Sequence, residues 1–166
     1  VMPEHMSEER RKMMKLLGAN LVLTPAQKGM TGAIERAKSL VEELGDAHMP
    51  QQFENPANPS IHELTTGPEI WMDSDEQVDV LVAGVGTGGS LTGAARYLKA
   101  RKSIHVVAVE PEDSPVLSGG KPGPHRIEGI GAGFVPAIYD DGIVDEIITI
   151  SNQTAIDTSR LLARTE

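Results

Sequence analysis

The run Gly84-Val85-Gly86-Thr87-Gly88-Gly89-Ser90 follows the apolar stretch Val78-Asp79-Val80-Leu81-Val82-Ala83 and leads straight into an amphipathic segment. A buried strand, a glycine turn and a helix N-terminus in succession leave few folds open. Glycines let the backbone approach a ligand without a Cβ in the way. The first N–H groups of the helix have no intrahelical acceptor and point outward, and the helix dipole favours negative charge there. The segment therefore predicts a phosphate cradle built into an α/β unit. The identity of the phosphorylated ligand is the open question.

Composition narrows the answer. The chain has 166 residues, a net charge of −9 and no cysteine. The negative balance argues against nucleic acid or an anionic membrane as main partner, and no apolar run approaches the ~18 residues of a membrane span. Without cysteine there is no disulfide framework, no thiolate nucleophile and no zinc–thiolate site, which fits the cytoplasm. One Trp, two Tyr and two Phe leave the core to aliphatic side chains. The five histidines, His5, His48, His62, His105 and His125, fall in no metal-ligand spacing and read as surface or turn residues. No metal is expected.

Alternating patterns predict the elements. Ser7 begins a helix with Glu8 and Glu9 in its first turn and Lys15 in its last, ended by Gly18. Asn20 to Thr24 reads as a short strand, Thr31 to Leu44 as a helix with Ile34, Ala37, Leu40, Val41 and Leu44 on its buried face, and Met49 to Phe53 as another short strand. In Asn55-Pro56-Ala57-Asn58-Pro59 the prolines are expected to exclude helix. A domain boundary is placed here, with 1–55 in a smaller N-terminal domain and 56–166 in a larger cofactor-binding domain. A single helix through Ile61, Leu64 and Ile70 is expected next. After the glycine loop come a helix with Leu91, Ala94, Ala95 and Leu98, and a strand Ile104 to Glu110, together a parallel βαβ crossover. Residues 111 to 137 form a long Pro- and Gly-rich loop of the kind that serves a site. Val144 to Ile150 is a further strand, and Asn152 is expected to cap the last helix. Val1 precedes Pro3 like the tail of a strand and the last helix reaches Glu166 uncapped, so the chain reads as a fragment.

Gly84-x-Gly86-x-x-Gly89 matches the dinucleotide fingerprint, and Glu110 stands at the end of the next strand, where that fold places its ribose-binding acid. Two details oppose an NAD site. The fingerprint belongs to the first βαβ unit of its fold, whereas strands and helices precede it here. The continuous Gly86-Thr87-Gly88-Gly89-Ser90 core, with two hydroxyls, also suits one terminal phosphate better than a pyrophosphate. No Walker lysine follows the loop, so a nucleoside triphosphate does not fit either.

Collinear motifs resolve the choice. They include Met2-Pro3-Glu4, Gly18-Ala19-Asn20-Leu21-Val22-Leu23-Thr24, Lys28-Gly29-Met30, Gln52-Phe53-Glu54-Asn55-Pro56-Ala57-Asn58-Pro59 and Thr65-Thr66-Gly67-Pro68-Glu69-Ile70-Trp71. The loop Gly84–Ser90 follows, then Lys121-Pro122-Gly123-Pro124-His125 and Gly129-Ile130-Gly131-Ala132-Gly133-Phe134. Across the whole length the chain resembles the cysteine synthases (O-acetylserine sulfhydrylases), of the fold-type II, tryptophan synthase β-like group of pyridoxal phosphate enzymes. The resemblance implies an α/β, three-layer fold with parallel-sheet domains. It implies that Gly86, Thr87, Gly88, Gly89 and Ser90 hold the 5′-phosphate of pyridoxal phosphate, and that Gln52 and Gly129 face the amino-acid substrate. The implied reaction is a transferase-type β-replacement of the acetate of O-acetylserine by sulfide, giving cysteine. A homodimer and docking of serine acetyltransferase are implied as well.

The family's Schiff-base lysine lies in a Ser-x-Lys-Asp-Arg segment that does not occur here, so no catalytic residue is expected within the chain. Its Thr-Ser-Gly-Asn-Thr loop and its C-terminal Ser-Ser-Gly segment are missing too, as if N- and C-terminal parts flank this sequence. The alternatives are a sister activity (cystathionine β-synthase or a serine or threonine dehydratase) and a non-catalytic binding module of the same fold.

Overall fold

In the computed structural model, which describes all 166 residues, the chain divides into two compact units, Val1–Pro50 and Gln51–Glu166. The division falls just ahead of the Asn55-Pro56 break used to place a boundary from sequence.

In the first unit, β1 (Met2–Pro3) pairs in parallel with β2 (Leu23–Thr24), in the register Met2↔Leu23. The strand expected from Asn20 is thus only two residues long. Helix α1 (Glu8–Leu16) starts as expected, with the Ser7 hydroxyl accepting from the Arg10 N–H at 3.3 Å. It ends at Gly18 (φ 85°), where the N–H groups of Gly18 and Ala19 return to the Lys15 and Met14 carbonyls. Helix α2 (Gly29–Leu44) begins earlier than its periodicity suggests, because a 3₁₀ turn over Ala26–Lys28 leads the chain from Pro25 into it. Ala33 is its buried apolar residue, Gly45 (φ 70°) stops it, and Leu44, expected inside, is exposed.

No strand forms over Met49 to Phe53. Gln51 takes a left-handed φ of 56°, and its carbonyl accepts from the N–H groups of Glu54 and Asn55, so the chain turns where an extended segment was expected. The proline reading is corrected as well. Helix α3 (Ala57–Leu64) starts directly after Pro56 with Pro59 in its first turn, where the missing N–H has no intrahelical acceptor to lose. The Asn55 carboxamide oxygen accepts from the Ala57 N–H at 2.9 Å and caps the entry. The single helix expected through Ile70 is two. At Thr65 (φ −123°, ψ −69°) the backbone leaves helical geometry before α4 (Thr66–Asp73).

The second unit is built on a parallel sheet in the order β3 (Val80–Gly84), β4 (His105–Pro111), β5 (Glu146–Ile150). Val82 lies opposite Val107, and Val109 opposite Ile148. Helix α5 (Gly89–Lys99) connects β3 to β4, which is the predicted parallel crossover. The core is aliphatic, as composition requires: Val85, Leu91, Ala95, Leu98, Ile104, Val106 and Ala108, with Trp71, Tyr97 and Tyr139 at its margin. The central strand is buried on both faces. At the sheet edge, β3 is not the fully buried strand its sequence suggests, since Val80 and Val82 are exposed on the face away from the core.

The α3–α5 packing is close because α5 lacks side chains where α3 crosses it. A Cβ on Gly93 would meet the Pro59 carbonyl, His62 Cβ (2.7 Å) and Glu63 N (2.8 Å). Helix α6 (Asn152–Thr165) is capped by Ser151, not Asn152: the Ser151 hydroxyl accepts from the Thr154 N–H at 3.1 Å. Asn152 instead ties down the long loop, accepting from Arg126 N (2.7 Å) and donating to Asp113 Oδ2 (2.5 Å).

Candidate cofactor site

The glycine loop begins where β3 stops. Val85 donates to the Val109 carbonyl at 3.0 Å as the last sheet bond, and Val85 O accepts from Gly131 N at 3.0 Å. The chain then turns through Gly86, Thr87 and Gly88 (φ 83°) into the first residue of α5. Each glycine has a local reason. A Cβ on Gly86 would press on the Gly129 carbonyl oxygen, one on Gly88 would touch Tyr139 Cβ at 3.0 Å, and one on Gly89 would overlap the Asn58 carboxamide.

The N–H groups of Gly86, Thr87, Gly88, Ser90 and Leu91 have no acceptor within the chain, whereas Thr92 N already bonds the Gly88 carbonyl. Two hydroxyls stand among these donors. Thr87 Oγ1 accepts from Gly89 N (3.2 Å) and Asn58 Nδ2 (3.1 Å). Ser90 Oγ lies 3.0 Å from His62 Nε2, and His62 Nδ1 lies 2.9 Å from Thr66 Oγ1. Unsatisfied donors at a helix N-terminus, with small residues that admit close approach, have the chemistry a phosphate dianion requires.

The structure brings the other sequence-predicted positions to the same place. Gly129 (φ 88°) sets its carbonyl against Gly86. The Gln52 carbonyl accepts from Asn58 Nδ2 at 2.8 Å, so one carboxamide joins the Gln52 segment to Thr87. Next to Gln52, the Phe53 ring meets Phe134 edge-on at 5.0 Å, and Ile138 N donates to the Phe53 carbonyl. The Gln52 side chain itself is exposed.

Glu110 serves a different purpose from the one its spacing suggested. Its side chain is 1 % exposed and accepts from Leu117 N (2.7 Å), Ser118 N (2.9 Å) and Ser118 Oγ (2.5 Å). It anchors the long loop from below and is not free to bind a ribose. His62 and Asn58 are the site residues that sequence reasoning missed, having read one as a surface or turn residue and the other as part of the proline break at the domain boundary. Tyr139 was missed too. Its hydroxyl is buried without a partner, and burial foremost, then the charges of Asp141 and Glu110, raise its pKa above the ordinary phenol value.

The sequence pattern of the pyridoxal-phosphate dependent enzymes matches residues 1–166. The chain belongs to that family. Within it, the chain is 57 % identical to cysteine synthase A of Escherichia coli (strain K12) over 175 residues, covering 99 % of this chain and 54 % of the relative. It is 54 % identical to the cysteine synthase of Staphylococcus aureus (strain N315) over 167 residues, with the same coverage of 99 % and 54 %. Among solved structures, cysteine synthase from Entamoeba histolytica superposes with a TM-score of 0.90 at 47 % identity, over 98 % of this chain and 48 % of that one. A hydrogen sulfide-producing enzyme from Fusobacterium nucleatum superposes with a TM-score of 0.94 at 39 % identity, over 99 % and 56 %. The fold is therefore that of the fold-type II pyridoxal phosphate enzymes. The chain spans about half the length of the relatives it matches.

The residues present fit this family's cofactor at its phosphate end. The loop offers donors and small residues, and no carboxylate bonds to it. No helix is long and apolar enough to cross a membrane.

Proposed function

We propose that this chain carries the phosphate-binding half of a cysteine synthase, a transferase that replaces the acetate of O-acetylserine with sulfide. The observation that carries the reading is the glycine cup, with its unsatisfied N–H groups and two hydroxyls, in a chain more than half identical to cysteine synthase A. Pyridoxal phosphate, when bound, supplies the electron sink that lets the β-substituent of an amino acid leave.

The proposal assigns roles to the chain's own residues. Gly86, Thr87, Gly88 and Ser90 offer free N–H groups that bind and orient the phosphate, each worth most where water is excluded, and Gly89, whose N–H is held by Thr87 Oγ1, contributes by lacking a side chain. Gln52 binds the substrate carboxylate in this reading, supported by its exposed side chain and by the Asn58 carboxamide that links its carbonyl to Thr87. Gly129 faces the amino-acid substrate in the same reading, supported by the close approach of its carbonyl to Gly86. Assembly as a homodimer, docking of serine acetyltransferase and a cytoplasmic setting belong to the same proposal.

The test is turnover by the purified full-length protein. Cysteine formation from O-acetylserine and sulfide, with little reaction of serine plus homocysteine, is expected. Turnover of the second pair alone would reassign the protein to a cystathionine β-synthase activity. Binding of the cofactor without turnover of either pair would favour a binding module.

A further inference from the structure

The two hydroxyls of the cup are not left to orient themselves. Asn58 and His62 are one turn apart on α3, and each meets one of them. A hydroxyl oxygen has two lone pairs and one proton. Thr87 Oγ1 receives the Gly89 N–H and the Asn58 N–H, and neither of these groups can accept in return. Its lone pairs are filled, so its own proton is left to be donated elsewhere.

Ser90 has the same need met differently. The His62 ring bridges Ser90 Oγ and Thr66 Oγ1, at 3.0 and 2.9 Å, and for the neutral ring two arrangements of protons satisfy that geometry. In one, Nε2–H donates to Ser90 and Thr66 donates to Nδ1, which frees the Ser90 proton. In the other, Ser90 donates to Nε2 and shows only lone pairs to the cup. A phosphate dianion only accepts, so it is repelled by the second arrangement and bound by the first.

We propose that Asn58 and His62 are positioning residues which load the two cup hydroxyls from behind, so that both protons are directed at the phosphate. His62 does so as the Nε2–H tautomer. The proposal rests on reading Gly86–Ser90 as the phosphate site. It assigns to α3 the setting of donor direction, a role neither residue type announces from sequence.

The experiment uses the full-length protein stripped of cofactor and titrated with pyridoxal phosphate and, separately, with pyridoxal, which lacks the phosphate. His62→Leu should weaken pyridoxal phosphate about tenfold, the worth of one hydrogen bond to a charged group, and leave pyridoxal unchanged. His62→Gln, which keeps an N–H donor of similar reach, should restore most of that loss. Ser90→Ala should cost about as much as His62→Leu, and the double variant no more than either alone. Nitrogen NMR of ¹⁵N-histidine protein should show His62 settling into the Nε2–H tautomer on addition of pyridoxal phosphate.

An Nδ1–H tautomer in the complex would overturn the proposal. So would equal weakening of both ligands by His62→Leu, or losses that multiply in the double variant. If Ser90→Ala and Thr87→Val leave pyridoxal phosphate binding untouched, the phosphate-site reading falls as well. If they weaken it and His62→Leu does not, only the role of His62 falls.

Discussion

Glu110 and Ser118 are joined twice: one carboxylate oxygen accepts both the backbone N–H and the hydroxyl of Ser118, at 2.9 and 2.5 Å. The other oxygen accepts from Leu117 N at 2.7 Å. A buried carboxylate at the end of the central strand thus replaces the backbone pairing that the irregular segment after β4 lacks. Glu110→Gln puts an NH₂ group against donors and should destabilise the protein by about 2 kcal/mol, within the range for an unsatisfied buried polar group. Chemical denaturation measures the loss. Hydrogen exchange at the amides of Leu117 and Ser118 should accelerate in the variant before the sheet opens. A variant as stable as the parent would mean the loop is held elsewhere.

The close approach of α3 and α5 depends on Gly93. A methyl group there meets the Pro59 carbonyl and the backbone of Glu63, which cannot swing aside as a long side chain would. Gly93→Ala should cost about 1–3 kcal/mol by overpacking, more than the helix propensity of Ala returns. The same displacement lifts His62 from Ser90, so phosphate binding should weaken along with the melting temperature. Unchanged thermal stability would show that α3 shifts at no cost.

Asp145 is one source of acid sensitivity, alongside Glu43, whose carboxyl the Arg36 and Ser39 hydrogen bonds hold below its ordinary pKa. The hydrogen bond from Lys99 foremost, and that from Val106 N (2.7 Å), hold the Asp145 carboxyl below the usual carboxylate pKa. A carboxyl depressed in the folded state contributes stability above its unfolded pKa, near 3.9, and loses it as pH falls through the folded value. Asp145→Asn should therefore lower the melting temperature at pH 7 and make it less steep below about pH 4. Parallel melting curves for parent and variant from pH 7 to pH 3 would remove Asp145 from the account.

Much of the second unit was legible in the sequence because its signals are local. The β3–loop–α5–β4 unit follows from an apolar run, glycines at a turn and residues at i, i+3, i+4 and i+7, and the structure differs from it by a residue or two. The misreadings share a physical origin. Pro56 and Pro59 look like helix breakers unless the helix start is known, since proline is penalised only after the first turn. Gln51 adopts a left-handed backbone with no glycine to announce it. His62 and Asn58 gain their meaning from residues 28 and 29 positions away, beyond any local pattern. Glu110 sat at the right spacing for a dinucleotide site, yet burial under its own loop decided its role.

The contact between Gly86 and Gly129 offers a test of the cup that needs no cofactor. The Gly129 carbonyl occupies the space a Cβ at position 86 would take, and both partners are backbone, so neither can yield by changing a rotamer. Gly86→Ala must push the 129–131 segment outward. The nearest bond to fail is that from Gly131 N to the Val85 carbonyl, at 3.0 Å. Exchange of the Gly131 amide should quicken by roughly tenfold or more, equivalent to about 1.4 kcal/mol or more, while amides of β4 keep their protection. Gly88→Ala provides the contrast. There φ is +83° and the neighbour is Tyr139 Cβ, so the cost is backbone strain of about 1–2 kcal/mol, with the Gly131 bond left in place. Equal protection of Gly131 in parent and Gly86→Ala would show that the loop does not lean on the cup.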